Sequence, residues 1–232
     1  MKHETPSRVF PRRLEARFAG SAASPAQFPQ DGLPEVAFLG RSNVGKSSLL
    51  NALAATRRLA HVSQTPGRTR LVNFFRASVE RPGSRKLDEL YLVDLPGYGY
   101  AKAPREVRES FEELALSYLL EREALRLAVF IVDVRHEPSE RDHQLREFLD
   151  GNELPWALAA NKVDALSKNE ARTRVRALEA GIGLTSAGVV PVSAEKGLGL
   201  GELWSLIRAV ALDSPAAPER QALAIRGDDG RN

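Results

Sequence analysis

The stretch GRSNVGKSSLLNAL, residues 40–53, decides the fold of this 232-residue chain. It fits the phosphate-loop pattern G-x-x-x-x-G-K-[ST] and lies between a predicted strand, EVAFLG (35–40), and a predicted helix, KSSLLNALAA (46–55). Glycines let a loop point successive backbone N–H groups at phosphate oxygens, and the helix N-terminus adds partial positive charge. Lys46 would then reach the β- and γ-phosphates, and the Ser47 hydroxyl would ligate Mg²⁺.

A second phosphate-facing motif, DLPG (94–97), closes the predicted strand ELYLVDL (89–95). The strand delivers Asp94 to the edge of the sheet beside the phosphates, where its carboxylate can hold Mg²⁺ through water. The N–H of Gly97 can sense a γ-phosphate. Because D-x-x-G tetrapeptides are frequent, this motif indicates a nucleotide site only in combination with the other motifs.

The motif NKVD (161–164), after the predicted strand PWALAAN (155–161), selects the base. An ionised Asp164 only accepts hydrogen bonds, so it suits the N1–H and amino donors of guanine. Adenine lacks that pair of donors and would leave the carboxylate unpaired. Asn161 would brace the loops, and the stem of Lys162 would lie over the base.

The last motif, VSAEKG (192–197), ends the predicted strand GVVPVS (188–193), so that the N–H of Ala194 would meet guanine O6. All four motifs occur in one order, each after its own strand. The sequence therefore predicts a protein that binds GTP and GDP.

The rest of the chain alternates short apolar runs with longer amphipathic stretches, which predicts an α/β fold with a mostly parallel sheet and helices on both faces. Further strands are predicted over 71–79 and 127–134, and helices over 105–122, 139–150, 168–180 and 200–212. We assign an N-terminal basic extension to 1–30, a single P-loop GTPase domain to 31–212, and a C-terminal tail, expected to be disordered, to 213–232.

Composition limits the kinds of site and the cellular locations that we expect for the protein. The chain has no cysteine, which excludes disulfides and thiolate metal sites. Its first residues carry charges where a signal peptide has an apolar core, and no run approaches the roughly 18 apolar residues of a membrane span. We therefore expect a cytoplasmic protein without membrane insertion. As a separate expectation, the protein acts as a monomer.

Three segments carry a family resemblance: FPQDGLPEVAFLGRSNVGKSSLLNAL, SQTPGRTRLVNFF and LVDLPGYGYAKAP. From about Phe18 to about Leu212 the chain resembles the YihA/YsxC (EngB) family of small bacterial GTPases, within the TrmE–Era–EngA–YihA–septin group. The resemblance implies a Ras-like sheet of six strands and Mg²⁺-dependent GTP binding. It also implies association with the large ribosomal subunit during assembly, and a role in normal cell division and septation.

Carried onto matching positions, the resemblance implies that Thr69 of the first switch joins Ser47 and Asp94 on Mg²⁺. This chain departs from many relatives at Asn161, where they have Thr, and at Ser193-Ala194, where they often have Ser-Ser. GTPases generally tolerate both changes. The implied nucleotide-binding residues are Gly40, Arg41, Ser42, Asn43, Val44, Gly45, Lys46, Ser47, Ser48, Gly67, Arg68, Thr69, Arg70, Leu71, Asp94, Leu95, Pro96, Gly97, Asn161, Lys162, Val163, Asp164, Val192, Ser193 and Ala194.

Hydrolysis is expected to be slow. In Ras-type GTPases a glutamine after the glycine of the second switch orients the attacking water, and here that position is Tyr98. Unaided turnover should lie at or below ~10⁻³ s⁻¹. Lys46 and Asn43 are the candidate catalytic residues. In K⁺-activated relatives the position of Asn43 helps to ligate a monovalent cation that neutralises transition-state charge, and the alternative is that Asn43 only braces the loop.

Charge is unevenly distributed along the chain. The protein has a net charge of +3, and residues 57–86 hold eight Lys or Arg against one acid, Glu80. This pattern predicts a basic face, over the first switch and its hairpin, that rests on nucleic-acid phosphates. The alternative is a solvated basic edge. The cations are Arg57, Arg58, Arg68, Arg70, Arg76, Arg81, Arg85 and Lys86, with Arg8, Arg12, Arg13 and Arg17 in the extension.

Three functions remain once the motifs and the family resemblance are taken together. The first is a GTPase switch that assists assembly of the large ribosomal subunit, and the second is a septum-associated GTPase that acts through protein partners. The third is a P-loop kinase for a small metabolite, against which NKVD and the lack of an evident substrate lid argue. The basic face favours the first.

Overall fold

The computed structural model describes residues 10–56, 59, 71–97, 105–183 and 188–214. The strands there are β1 (Leu14–Ala22), β2 (Glu35–Gly40), β3 (Val72–Glu80), β4 (Leu87–Asp94), β5 (Leu125–Asp133), β6 (Trp156–Asn161) and β7 (Val189–Pro191). They form one sheet in the order β1-β3-β4-β2-β5-β6-β7. The pairs from β4 to β7 are parallel, and β3 joins β4 and β1 by antiparallel pairing.

The helices are α1 (Lys46–Leu53), α2 (Arg105–Glu121), α3 (Glu140–Gly151), α4 (Lys168–Ile182) and α5 (Leu200–Ile207), which continues into a π-helical turn, Arg208–Leu212. Single 3₁₀ turns lie at Pro25–Gln27 and Val163–Ala165. Two capping boxes mark helix starts, at Ser139 before α3 and at Ser167 before α4. Within the described ranges, no helix is both long and apolar enough to span a bilayer.

Two hydrophobic cores lie on opposite faces of the sheet. One contains side chains of α1 and α5, such as Leu50 and Trp204, and the other contains side chains of α2, α3 and α4, such as Tyr118. β2 and β5 lie between the cores, so both of their faces are covered and their sequences are nearly continuous apolar runs. The prediction of an α/β fold with a mostly parallel sheet and helices on both faces is confirmed.

The number of strands needs correction, because the described residues form a sheet of seven strands where six were predicted. The additional strand, β1, lies inside the segment 1–30 that was assigned to an extension. It pairs antiparallel with β3 from Leu14↔Val79 to Ala22↔Val72, with a bulge between Phe18 and Gly20. Most of the predicted tail, residues 215–232, lies outside the described residues.

Candidate functional site

The phosphate loop joins β2 to α1, and its first and last glycines have conformations that side chains rarely adopt. Gly40 has φ +157°, and a Cβ there would lie 2.6 Å from the carbonyl oxygen of Ile131. Gly45 has φ +95°, and a Cβ there would collide with the side-chain amide of Asn161. Both positions therefore require glycine, which lets the loop turn tightly against β5 and the NKVD motif.

Lys46, at the start of α1, forms an ion pair with Asp94 at the carboxyl end of β4. Both residues are nine-tenths or more buried. The structure thus brings together the cation predicted to bind phosphates and the carboxylate predicted to hold Mg²⁺, with Ser47 next along the helix. A carboxylate and a hydroxyl are hard oxygen donors of the kind that Mg²⁺ takes together with substrate phosphates, so these residues fit that ion.

Ser42 and Gly97 meet where the phosphate loop approaches the DLPG motif. A Cβ at Gly97 would lie 3.3 Å from the carbonyl oxygen of Gly40 and 3.6 Å from the hydroxyl of Ser42. That hydroxyl is buried and has no hydrogen-bond partner among the described residues. A buried hydroxyl left unpaired is unfavourable, and a phosphate oxygen is an acceptor that would satisfy it.

Asn161 connects three of the sequence motifs through its side chain. Its Nδ2 donates to the carbonyl oxygen of Val44 over 2.9 Å, and its Oδ1 accepts from the N–H of Ala194 over 3.3 Å. Asn161 is buried, at 1% exposure. The same turn is held by a hydrogen bond from the N–H of Val163 to the carbonyl oxygen of Val192. The phosphate loop, NKVD and VSAEKG therefore form one connected unit.

Lys162 has φ +69°, in the left-handed region, and its ammonium lies between two oxygens. It donates to the carbonyl oxygen of Asn43 over 2.7 Å and to Oδ2 of Asp133 over 2.8 Å. Arg135 also donates to Asp133. Burial alone would raise the pKa of Asp133, but the hydrogen bonds from Arg135 and Lys162 outweigh it and hold the pKa well below the usual aspartate range.

The remaining predicted site residues surround these contacts. Asp164 is partly buried on the turn after Lys162. A cavity of about 290 Å³ opens between the phosphate loop and the end of β5, and its lining includes Ser42, Asn43, Asp133 and Lys162. Arg41 is exposed, Ser48 lies in the first turn of α1, and Leu95 to Gly97 are buried. Leu71 directly precedes β3. The predicted first-switch residues Gly67, Arg68, Thr69 and Arg70, and Tyr98, lie outside the described residues.

Sequence reasoning missed Asp133 and Arg135. Asp133 is the last residue of β5 and is paired in register with Asn161, the last residue of β6. A polar residue ending an apolar strand beside the NKVD strand was the available signal, because the carboxyl ends of neighbouring parallel strands share one edge.

The fold and the motifs at the strand ends define a P-loop GTPase. A family model described as "50S ribosome-binding GTPase" matches residues 35–162. The chain belongs to the EngB family of GTP-binding proteins. It is 41% identical over 208 residues to "Probable GTP-binding protein EngB" of Anaeromyxobacter sp. (strain K), covering 90% of this chain and 96% of the relative. Its identity to the protein of that name from Solibacter usitatus is 42%, covering 84% and 95%.

Solved structures agree with this fold. A crystal structure of an EngB protein has a TM-score of 0.58 at 23% identity, covering 75% of this chain and 97% of that one. Era, in complex with MgGDPNP and a segment of 16S ribosomal RNA, has a TM-score of 0.64 at 26% identity, covering 82% of this chain and 60% of Era. The RNA in that complex comprises nucleotides 1506–1542 of 16S ribosomal RNA.

Proposed function

We propose that this protein is a slow, Mg²⁺-dependent GTPase switch that assists assembly of the large ribosomal subunit. The observation that carries the nucleotide part is the side chain of Asn161, which ties the phosphate loop to both guanine motifs. The ribosomal part is supported by the description of the matching family model. We place this activity in the cytoplasm, with the protein acting as a monomer.

The residues of the site have distinct roles in this proposal. The loop N–H groups and Lys46 bind the phosphates, and Asp164 and Ala194 recognise guanine. Ser47 and Asp94, with Thr69, would hold Mg²⁺, which neutralises phosphate charge when bound. Water attacks the γ-phosphorus and the bond to the β–γ bridging oxygen breaks, which yields GDP and phosphate. Since Tyr98 supplies no amide to orient that water, the intrinsic rate is low.

Asn43 has two candidate roles in hydrolysis. It is exposed and has a left-handed φ of +69°. As a K⁺ ligand it would help to neutralise transition-state charge, whereas as a brace it would act only through the loop. A higher GTP turnover in K⁺ than in Na⁺ at equal ionic strength supports the first role.

The structure revises the basic face that the sequence predicts. Arg76 is paired with Glu89 and Arg81 with Asp88, so these two cations are already neutralised. Arg57, Arg58, Arg68 and Arg70 lie outside the described residues. Arg8 also lies outside the described residues. Five exposed cations of the predicted basic face make no ion pair with a described residue, and one of them, Arg17, lies within β1. We call the other four the sheet-end basic surface: Arg12, Arg13, Arg85 and Lys86.

This surface is a compact unit. The N–H of Arg12 donates to the carboxylate of Glu80, and the N–H of Glu80 donates to the carbonyl oxygen of Arg13, each over 3.0 Å. The start of β1 therefore lies beside the turn between β3 and β4, which carries Arg85 and Lys86. Such a group of cations suits the phosphate backbone of RNA.

Co-sedimentation of the full chain with purified large ribosomal subunits tests the proposal. We expect binding that is stronger with a non-hydrolysable GTP analogue than with GDP, because a γ-phosphate orders switch segments in GTPases. Binding should fall steeply with added salt. A septum-associated GTPase that acts only through protein partners would show no binding to the large subunit, and that result would overturn the ribosomal part of the proposal.

A further inference from the structure

The ammonium of Lys162 is the point where three segments of the nucleotide site meet. It lies 2.7 Å from the carbonyl oxygen of Asn43 in the phosphate loop and 2.8 Å from Oδ2 of Asp133 at the end of β5. Lys162 itself belongs to the NKVD motif. A displacement of this one ammonium would therefore disturb the phosphate loop and the guanine motif together.

We propose that Asp133 is a positioning residue of the guanine-nucleotide site, which acts by holding the Lys162 ammonium against the carbonyl of Asn43. The side chain of Asp133 is suited to this role because it is only 9% exposed and carries the negative charge next to the ammonium. Lys162 is 29% exposed, so water competes for its ammonium unless a charged partner retains it.

Backbone strain gives this contact a function beyond packing. Asn43 and Lys162 both have φ +69°, a left-handed conformation that is unfavourable for lysine and that asparagine tolerates better. One hydrogen bond joins these two residues directly, and Asp133 anchors the donor of that bond, the ammonium of Lys162. Asp133 thereby stabilises the backbone conformation in which the phosphate loop faces the phosphates and the stem of Lys162 covers the base.

Asp133 is itself held rigidly. Arg135 donates from Nε to Oδ1 over 2.8 Å and from Nη2 to Oδ2 over 2.7 Å, and its N–H donates to Oδ1 over 3.2 Å. The carboxylate is thus fixed in the orientation that faces Lys162. A carboxylate pinned by a bidentate arginine can position a second cation with little loss of freedom on nucleotide binding.

The test is a double-mutant cycle on the full chain, with the release rate of a fluorescent GDP analogue as the measurement. Asp133→Asn keeps the shape of the side chain and removes its charge. We expect about tenfold faster release in the native background, and less than about twofold change when Lys162 is already replaced, in Lys162→Met. Glu137→Gln is the matched control, since it removes an exposed carboxylate of the same loop that pairs with Arg174.

Two results would overturn the proposal: an unchanged release rate in Asp133→Asn, or the same acceleration with and without Lys162. A purely structural role predicts the second result, because it lowers stability in either background. If Asp133→Asn yields little folded protein, the same cycle is run with Asp133→Glu, which keeps the charge and displaces it by one methylene. An acceleration that depends on Lys162 is again the expected outcome.

Discussion

Asp164 is the single residue to which we attribute the choice of base. It lies on the 3₁₀ turn Val163–Ala165, two residues after Lys162, and it is partly buried. The pKa of Arg135 is raised mainly by Asp133 and in smaller part by the negative charge of Asp164. A carboxylate in this position can accept from two donors on one edge of a base.

Replacing Asp164 with Asn should therefore change the base that is bound. The substitution removes the acceptor for two guanine donors, and two charge-assisted bonds at ~1.5–3 kcal/mol each correspond to at least about a hundredfold weaker GDP binding. The new amide can pair with the carbonyl of xanthine, so a xanthosine nucleotide should bind more tightly to Asp164→Asn than to the native chain. Titration calorimetry with both nucleotides measures this exchange, and equal GDP affinity in the two proteins contradicts the guanine assignment.

Residues of the site could be predicted from sequence where their roles depend on local spacing. The glycines and Lys46 of the phosphate loop lie within eight consecutive positions, so a pattern in the sequence reveals them. Asp133 could not be found in this way. It meets Lys162 only because β5 and β6 are adjacent and in register, which is a property of the folded sheet.

Among the described strands, β1 was the one that sequence reasoning missed. The segment LEARFAGSA is mostly exposed and lies at the edge of the sheet, so it lacks the continuous apolar run of β2 or β5. Its pairing with β3 depends on residues about sixty positions away, such as Phe18 against Phe75. The helices were predictable because their apolar periodicity and capping residues are local.

A buried cluster fixes α2 to the start of β2. Glu35 is fully buried and accepts from the hydroxyl of Tyr118 over 2.7 Å and from Nε of Arg122 over 3.0 Å. Arg122 also donates to the carbonyl oxygen of Pro29. Burial raises the pKa of the Tyr118 phenol well above its usual value, so the phenol remains a donor to the carboxylate.

Arg122→Met should lower the free energy of unfolding by about 3–5 kcal/mol, because it leaves the buried Glu35 carboxylate without its cation. Adding Glu35→Gln should recover part of this loss, since the amide carries no charge. Urea denaturation followed by circular dichroism gives both values. Arg141→Met, an exposed arginine of α3, is the control and should change stability by less than about 0.5 kcal/mol. A loss of that small size in Arg122→Met would mean that the cluster contributes little.

In the whole molecule, the nucleotide site and the sheet-end basic surface lie at opposite ends of the sheet. β4 begins after the turn that carries Arg85 and Lys86 and ends at Asp94 in the nucleotide site. Seven steps along this strand at about 3.3 Å per residue separate the two ends by about 23 Å. Contacts at this surface are therefore too far from the phosphates to depend directly on the nucleotide.

This separation gives a prediction that distinguishes the sheet-end basic surface from the predicted cations of the first switch, such as Arg68 and Arg70. Arg85→Ala with Lys86→Ala should weaken binding to large ribosomal subunits and reduce the slope of log affinity against log salt by roughly two units. The loss should be equal with GDP and with a GTP analogue, because these cations are remote from the γ-phosphate. Co-sedimentation at several salt concentrations measures it. Arg141→Ala with Arg176→Ala, two exposed arginines on α3 and α4, is the matched control. A loss confined to the GTP form would instead tie Arg85 and Lys86 to the switch segments, and unchanged binding would exclude the sheet-end basic surface from the contact with RNA.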